Sequence, residues 1–376
     1  MLKILIINWQ DIKNPQGGGA EVHLHEIFKR IASMGHRVDL LCCEVGGMPR
    51  EENIDGINIF RRGSRNLFNF HVPKLYKKEF ANKQYDIIID DINKIPFYTP
   101  LYVKEPVLAI SHHFFGKSIF NEASLIAGLY VIFGEKLVDS IYFKTPFAVV
   151  SQSTLDEFKT RGFSTEKFEI IFNAINHKEY SMKVVEKYSS PTIAFFGRLK
   201  KYKSPDHLLK AFAIVQEKIP KARLEIIGKG DFDSELKKIT ENLKLNNVTF
   251  HGFVTVEKKA EILSRSHIVV NTSQKEGWGI TNIEANASGT PVLSANVPGL
   301  RDSVSEGVSG ELYEYGNIKE LSSKLINLLS DKEKLNKLSD GAITWAASFS
   351  WDDSATKMLE KIRSTISHQK KNIIKR

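Results

Sequence analysis

Apolar residues along the chain fall into two kinds of pattern. Short unbroken runs at 3–9, 38–43, 58–62, 86–91, 107–112, 147–152 and 168–173 read as strands buried on both faces, the kind that parallel sheets use. Stretches with apolar positions at helical spacing lie between most of them. The clearest spans 20–34 and ends at Gly35. A second series then begins, with strands expected at 192–197, 222–228, 248–252, 267–273 and 291–295 and helices at 205–217, 233–243, 256–264 and 280–288. Residues 317–347 read as two closing helices and 352–366 as a last one. Strand alternating with helix predicts a parallel α/β sheet, here formed twice. The stretch 124–133 is apolar but short, and is expected to form part of a core or groove helix.

Length supports two units: 376 residues exceed one ordinary core. A hydrophobic share of 42% and a charged share of 26% are those of a soluble globular protein. No run of about 18 apolar residues occurs, so no membrane-spanning helix is expected. The opening MLKILIINW reads as a first strand rather than a cleaved leader. The only cysteines, Cys42 and Cys43, are neighbours in a strand-like run, a spacing that neither staples a fold nor holds a metal. A reducing cytoplasm is the expected location.

The net charge of +9 favours anionic partners. No nucleic-acid-binding module is visible, which leaves phosphorylated substrates and membrane surface. Residues 61–83 carry Arg61, Arg62, Arg65, Lys74, Lys77, Lys78 and Lys83 among Phe68, Phe70 and Tyr76. This stretch is either a surface for anionic lipid or a solvated helix with a few core aromatics. The tail HQKKNIIKR is basic as well, so peripheral attachment at the inner face of a membrane is an added expectation.

The richest chemistry lies in 271–291, NTSQKEGWGITNIEANASGTP. A strand ends in a polar turn, Glu276-Gly277-Trp278-Gly279 follows, and a helix begins at Ile280. Free amides at the positive end of a helix suit a phosphate. Glu276 and Glu284 flank that site, and carboxylates bind sugar hydroxyls rather than phosphate. A phosphate flanked by sugar-binding acids suggests a nucleotide sugar.

Other motifs are near misses. Gly17-Gly18-Gly19 after the first strand lacks dinucleotide-fingerprint spacing, but would let backbone approach a diphosphate or an acceptor. The run from Gly228 to Asp233 also misses that fingerprint. Asp231-Phe232-Asp233 has metal-diphosphate spacing, yet Asp233 stands where a helix cap is expected. His23 and His25 are two apart on a helix and do not share a face.

The stretch EGWGITNIEA, with seven residues between Glu276 and Glu284, resembles the E-x7-E motif of the retaining glycosyltransferases of family 4, notably bacterial hexosyltransferases of glycolipid and surface-polysaccharide synthesis. GGGAEV, GHRV, FNAINHKEY and Gly197-Arg198-Leu199 with Lys203 resemble further segments of that family, although Ser204 replaces a usual glycine. The resemblance implies the GT-B fold: two Rossmann-like doubly wound domains facing across a cleft, 1–175 for the acceptor and 176–350 for the nucleotide sugar, with 351–376 returning to the first domain. It implies that Arg198 and Lys203 clamp the diphosphate, that Glu276 binds the donor sugar and that Glu284 binds the ribose. Gly18, Gly19, Gly197 and the amides of Gly277, Trp278, Gly279 and Ile280 are expected around the donor, with Phe253 and Val254 near the base. One of His112 and His113 would face the reaction centre. The family's chemistry is a same-face substitution needing no metal and no cofactor beyond the nucleotide sugar, with UDP-sugars favoured over GDP-sugars. The acceptor would be a glycan, a lipid-linked sugar or a small molecule. A GT-B sugar-nucleotide epimerase and a non-catalytic nucleotide-sugar-binding module are the alternatives.

Overall fold

The computed structural model describes residues 1–93, 95–121, 123–180 and 186–374. The chain forms two compact units, Met1–Asn173 with Ser350–Arg376, and Ala174–Phe349.

In the first unit, β1 (Lys3–Ile7) leads through the glycine loop into α1 (Gly19–Ser33) and β2 (Arg37–Cys42). Next come β3 (Glu51–Ile54), β4 (Ile57–Arg61), α2 (Phe68–Leu75), β5 (Ile87–Ile92), β6 (Val107–Ser111), α3 (Leu125–Ile141), β7 (Phe147–Val149), α4 (Gln152–Thr160) and β8 (Phe168–Ile170). The sheet order is β3-β4-β2-β1-β5-β6-β7-β8. All pairs are parallel except β3 with β4. The strand β3 has no counterpart among the sequence expectations. Asp55 (φ 51°) and Gly56 (φ 87°) make the two-residue left-handed turn that joins it to β4, and Asp-Gly between apolar residues is a strong local signal for such a hairpin.

The second unit continues with the short α5 (His177–Tyr180), β9 (Thr192–Phe196), α6 (Pro205–Lys218), β10 (Arg223–Ile227), α7 (Asp233–Asn242), β11 (Val248–Gly252), α8 (Val256–Arg265), β12 (Ile268–Asn271), α9 (Ile280–Ala287), β13 (Val292–Ala295), β14 (Gly310–Tyr313), α10 (Ile318–Ser330) and α11 (Lys332–Ala347). Its sheet, β11-β10-β9-β12-β13-β14, is parallel throughout. Ile193, Phe195, Leu208, Phe212, Leu224 and Leu325 are fully buried between this sheet and its helices. The last helix, α12 (Trp351–Ile374), returns to the first unit. There it packs along α1, Arg30 Nε donates to Asp352 Oδ1 at 2.5 Å, and Ser354 Oγ donates to the carbonyl of Phe172 at 2.8 Å.

Three expectations change. The stretch 61–83 is mostly structural: Arg61 is buried and donates to both oxygens of Asp11 at 2.8 and 3.0 Å, and Arg62 pairs with Glu51 and Glu79. Phe68 and Tyr76 are core residues, whereas Phe70 stands in solvent. Residues 124–133 open a longer helix, α3, whose Leu125, Ile126, Leu129 and Phe133 point outward instead of into a core or groove. Asp233 makes no capping bond; it is the first residue of α7 and pairs with Lys237 one turn on. Among the described residues no helix is long and apolar enough to cross a membrane, and no cluster of potential metal ligands occurs. The side chains of the basic tail beyond Gln369 lie outside the described residues.

Candidate active site

In the second sheet β9 is flanked by β10 on one side and β12 on the other, so the chain leaves β9 in opposite directions. Ligands of open parallel sheets bind beyond the carboxyl ends of the strands at such a switch point. Gly197-Arg198 leaves β9 there, and the loop 272–279 leaves β12.

The two loops are joined by hydrogen bonds to backbone carbonyls. Gln274 N–H donates to the carbonyl of Tyr202 at 2.9 Å, and Thr272 Oγ1 donates to that of Lys203 at 2.7 Å. Close approach explains the glycines nearby. A Cβ on Gly228 would stand 1.9 Å from the carbonyl oxygen of Gly197, and one on Gly230 2.0 Å from that of Leu199. The failed fingerprint at 228–233 is therefore packing for the Arg198 loop. Gly279 (φ 82°) opens α9 in the left-handed region, where a side chain would also strike Ser303 and Leu300. Ser204 holds the left-handed conformation (φ 48°) with its own side chain, and its hydroxyl meets Tyr315 Oη at 2.9 Å. The turn that the missing glycine left in question is thus made.

At this loop junction Lys203 Nζ and Glu276 Oε1 form an ion pair, with both side chains less than a fifth exposed. Burial works against the lysine's charge, but the adjacent carboxylate outweighs it and raises the ammonium's pKa. Arg198 is exposed, and its guanidinium has no hydrogen bond or ion pair to another described residue. Glu284 lies one turn inside α9. Its Oε1 accepts from Tyr180 Oη at 2.5 Å and from Lys259 Nζ at 3.0 Å, while Oε2 is buried with no partner among the described residues. Burial first, and then Glu284, push the Tyr180 phenol well up, so it stays a donor. Lys259 also lies over the rings of Phe196 and Tyr180, at 4.4 and 5.1 Å from their centroids. Gly277 and Ile280 are half-buried, and the indole of Trp278 is buried against Phe349 at 5.2 Å, so only its backbone can serve a ligand. Phe253 is 83% exposed after β11, beside the half-buried Val254.

The first sheet has its own switch point at β1, between β2 and β5. Gly18 precedes α1 and its N–H donates to Glu21 Oε2 at 2.6 Å; Gly19 opens onto empty space. Glu21 Oε1 accepts from Asn93 Nδ2 at 3.0 Å. His112, just past β6, is buried with Nε2 2.8 Å from Asp91 Oδ1. Burial opposes its charge, but Asp91 and then Glu21 outweigh burial and raise its pKa. His113 is half-buried, with its ring 4.4 Å from that of Phe115. His23 packs edge-on to His112 at 5.3 Å and is pushed down to about 3, by burial first and then by His112.

Four members of these clusters are absent from the sequence reading: Glu21, Asp91, Tyr180 and Lys259. Asp90-Asp91 inside an apolar strand was a usable signal, because carboxylates are rarely fully buried without partners. Glu21 lies within GGGAEV and Tyr180 ends FNAINHKEY, where the family's segment closes on an aromatic, whereas nothing near Lys259 marks it.

A family model described as Glycosyltransferase Family 4 matches residues 17–179, and one described as Glycosyl transferases group 1 matches 177–345. The poly(glycerol-phosphate) alpha-glucosyltransferase of Bacillus subtilis is 30% identical over 218 residues, 57% of this chain and 31% of that one. The chain spans less than half the length of the first curated relatives it matches. Sucrose-phosphate synthase from Thermosynechococcus elongatus superposes with a TM-score of 0.80 at 19% identity, over 98% of this chain and all of that one. Anabaena HepE in complex with UDP-glucose does so with a TM-score of 0.75 at 19% identity, over 97% of this chain and 100% of that one. With one model on each half of the chain and GT-B glycosyltransferases as its structural neighbours, the chain belongs to the GT-B glycosyltransferases that join a family 4 domain to a group 1 domain.

Proposed function

We propose that the protein is a retaining hexosyltransferase that moves a sugar from a nucleotide sugar, UDP-linked in preference to GDP-linked, to a hydroxyl of a glycan, a lipid-linked sugar or a small molecule. The observation that carries this reading is the arrangement at the second switch point: a free arginine, a lysine–glutamate pair and a half-engaged glutamate. Cations there suit a diphosphate, and the unpartnered Oε2 of Glu284 suits a ribose hydroxyl. Glu276, held by Lys203, takes donor-sugar hydroxyls. The backbone of 277–280 and Gly197 line the donor, and Phe253 with Val254 offers an apolar face to the base. The UDP preference draws support from the uridine nucleotide bound by HepE.

Residues 1–175 serve the acceptor and 176–350 the donor in this reading. His112 and the Gly18-Gly19 loop are the first unit's candidates, with His113 beside them. In the chemical step the bond from the anomeric carbon to the diphosphate oxygen breaks and its electron pair stays with that oxygen. The acceptor oxygen bonds to the same face, and its proton passes to the departing diphosphate. Arg198 and Lys203 stabilise charge that grows on the leaving group, which lowers the barrier without a metal or cofactor. The work is done in the cytoplasm, with peripheral attachment to the inner face of the membrane.

The test is turnover of UDP- and GDP-hexoses with sugar and glycolipid acceptors, with and without EDTA, and the product anomer read by NMR. Transfer with retained anomeric configuration in EDTA supports the reading. Inverted product contradicts the mechanism, and epimerisation without acceptor contradicts the reaction class.

A further inference from the structure

We propose that the outward face of α3, continued by Phe70 of α2, docks the first unit on an anionic lipid bilayer. The inference rests on the transferase reading for its purpose, since it places the protein where a lipid-carried acceptor is met.

Soluble proteins rarely expose a contiguous apolar patch of this size without a use for it. Leu125, Leu129 and Phe133 are spaced four residues apart on α3, and Ile126 borders them; all four are between 55 and 82% exposed. The other side of the helix is anchored by Val131 and Val138. The patch extends onto α2, because Phe70, 63% exposed, stacks on Tyr130 with centroids 6.1 Å apart and planes at 21°. Asn69 Nδ2 donates to Tyr130 Oη at 2.5 Å and ties the two helices together. The aromatic expected to touch lipid is thus present, but its apolar neighbours come from α3 and not from Phe68 or Tyr76.

Charge selects the occupant. Lys136 continues the α3 stripe beyond Phe133, and Lys117 precedes the helix; both are exposed. Lys74 follows Phe70 by one turn, and Lys77 and Lys78 follow, all exposed. Among the described residues the acids close by are engaged elsewhere: Glu135 is buried and accepts from the amides of Phe115 and Gly116, Asp139 pairs with Arg161 at 2.6 Å, and Glu79 pairs with Arg62 at 2.9 Å. An apolar stripe edged by free lysines matches the boundary between acyl chains and anionic headgroups. A second copy of the chain would set the same lysines against each other.

The test uses the full chain with vesicles of phosphatidylcholine alone or mixed with phosphatidylglycerol. Binding to the anionic vesicles, weakened by salt, is expected. The triple substitution Ile126→Ser, Leu129→Ser, Phe133→Ser should weaken it about 1,000-fold or more, as the loss of three inserted side chains implies. Its melting temperature and nucleotide-sugar binding should match wild type, because these side chains contact solvent. In Phe133→Trp, emission should shift to the blue only with anionic vesicles. The proposal is overturned if wild type fails to bind anionic vesicles at low salt, if the triple variant binds unchanged, or if the triple substitution instead dissolves a dimer that forms without lipid. Loss of the transferase reading would show separately, as absent nucleotide-sugar binding in wild type.

Discussion

Lys203 and Glu276 form an ion pair across the two loops at the end of the second sheet, one loop leaving β9 and the other β12. A residue expected to meet the diphosphate thus positions the one expected to meet the sugar. The pair makes the two roles interdependent. Lys203→Ala should lower kcat/KM about 100- to 1,000-fold, as the loss of one preorganised donor does in comparable sites. Glu276→Ala should also be severe. The double variant should fall well short of the product of the two losses, because each single change already strands its partner. Steady-state kinetics on the four proteins gives the coupling, and strictly multiplicative losses would contradict it.

Arg198 has no partner to lose, so its removal leaves nothing stranded. Arg198→Ala should reduce turnover while donor binding and melting temperature stay near wild type. A large fall in melting temperature would show that the side chain is structural.

Tyr180 and Lys259 orient Glu284 by holding its Oε1 and leaving Oε2 available. Tyr180→Phe should weaken free nucleotide and nucleotide sugar by the same factor, on the order of 10-fold for one hydrogen bond to a charged group. Binding calorimetry with both ligands measures the ratio. A selective effect on the sugar nucleotide would move Glu284 away from the ribose.

The sequence made the two parallel sheets legible, because unbroken apolar runs such as 3–9 and 192–197 are what strands buried on both faces require. It also located Glu276, Glu284, Arg198 and Lys203, which share one strand-end region in the structure. Pairing was not legible. Lys203 and Glu276 are far apart in sequence and meet only because β9 and β12 are neighbours in the sheet. The apolar run 124–133 misled for a related reason: hydrophobicity alone does not say which face of a helix meets a core. In 61–83 the error was opposite, since Arg61 and Arg62 look like surface charge until Asp11, Glu51 and Glu79 are brought beside them.

Asp91 favours the charged form of His112 and raises its pKa against the opposing effect of burial. If the imidazolium donates to substrate, activity persists below its raised pKa and falls as pH rises through it. Asp91→Asn removes the carboxylate and should move that alkaline fall in kcat/KM to lower pH. A pH–rate profile with an unmoved limb would show that the pair is structural.

His23 has the opposite sign. Its folded pKa of about 3 lies below the usual 6.5, so the unfolded chain takes up the proton first. Its contribution to stability is full above pH 6.5 and declines as pH falls towards 3. Between pH 7 and 5 that decline is about 2 kcal/mol. His23→Phe should remove it, and urea unfolding of both proteins at the two pH values reads the difference. An equal acid sensitivity in the variant would contradict the assignment.

The second unit is expected to hold a nucleotide sugar on two glutamates with separate duties. Calorimetric titration of UDP-glucose and of UDP into wild type, Glu284→Ala and Glu276→Ala tests it most directly. Wild type should bind both ligands, Glu284→Ala should weaken both alike, and Glu276→Ala should weaken UDP-glucose while leaving UDP largely unchanged. If wild type binds neither ligand, or if the two substitutions act identically on both, the site as described is contradicted.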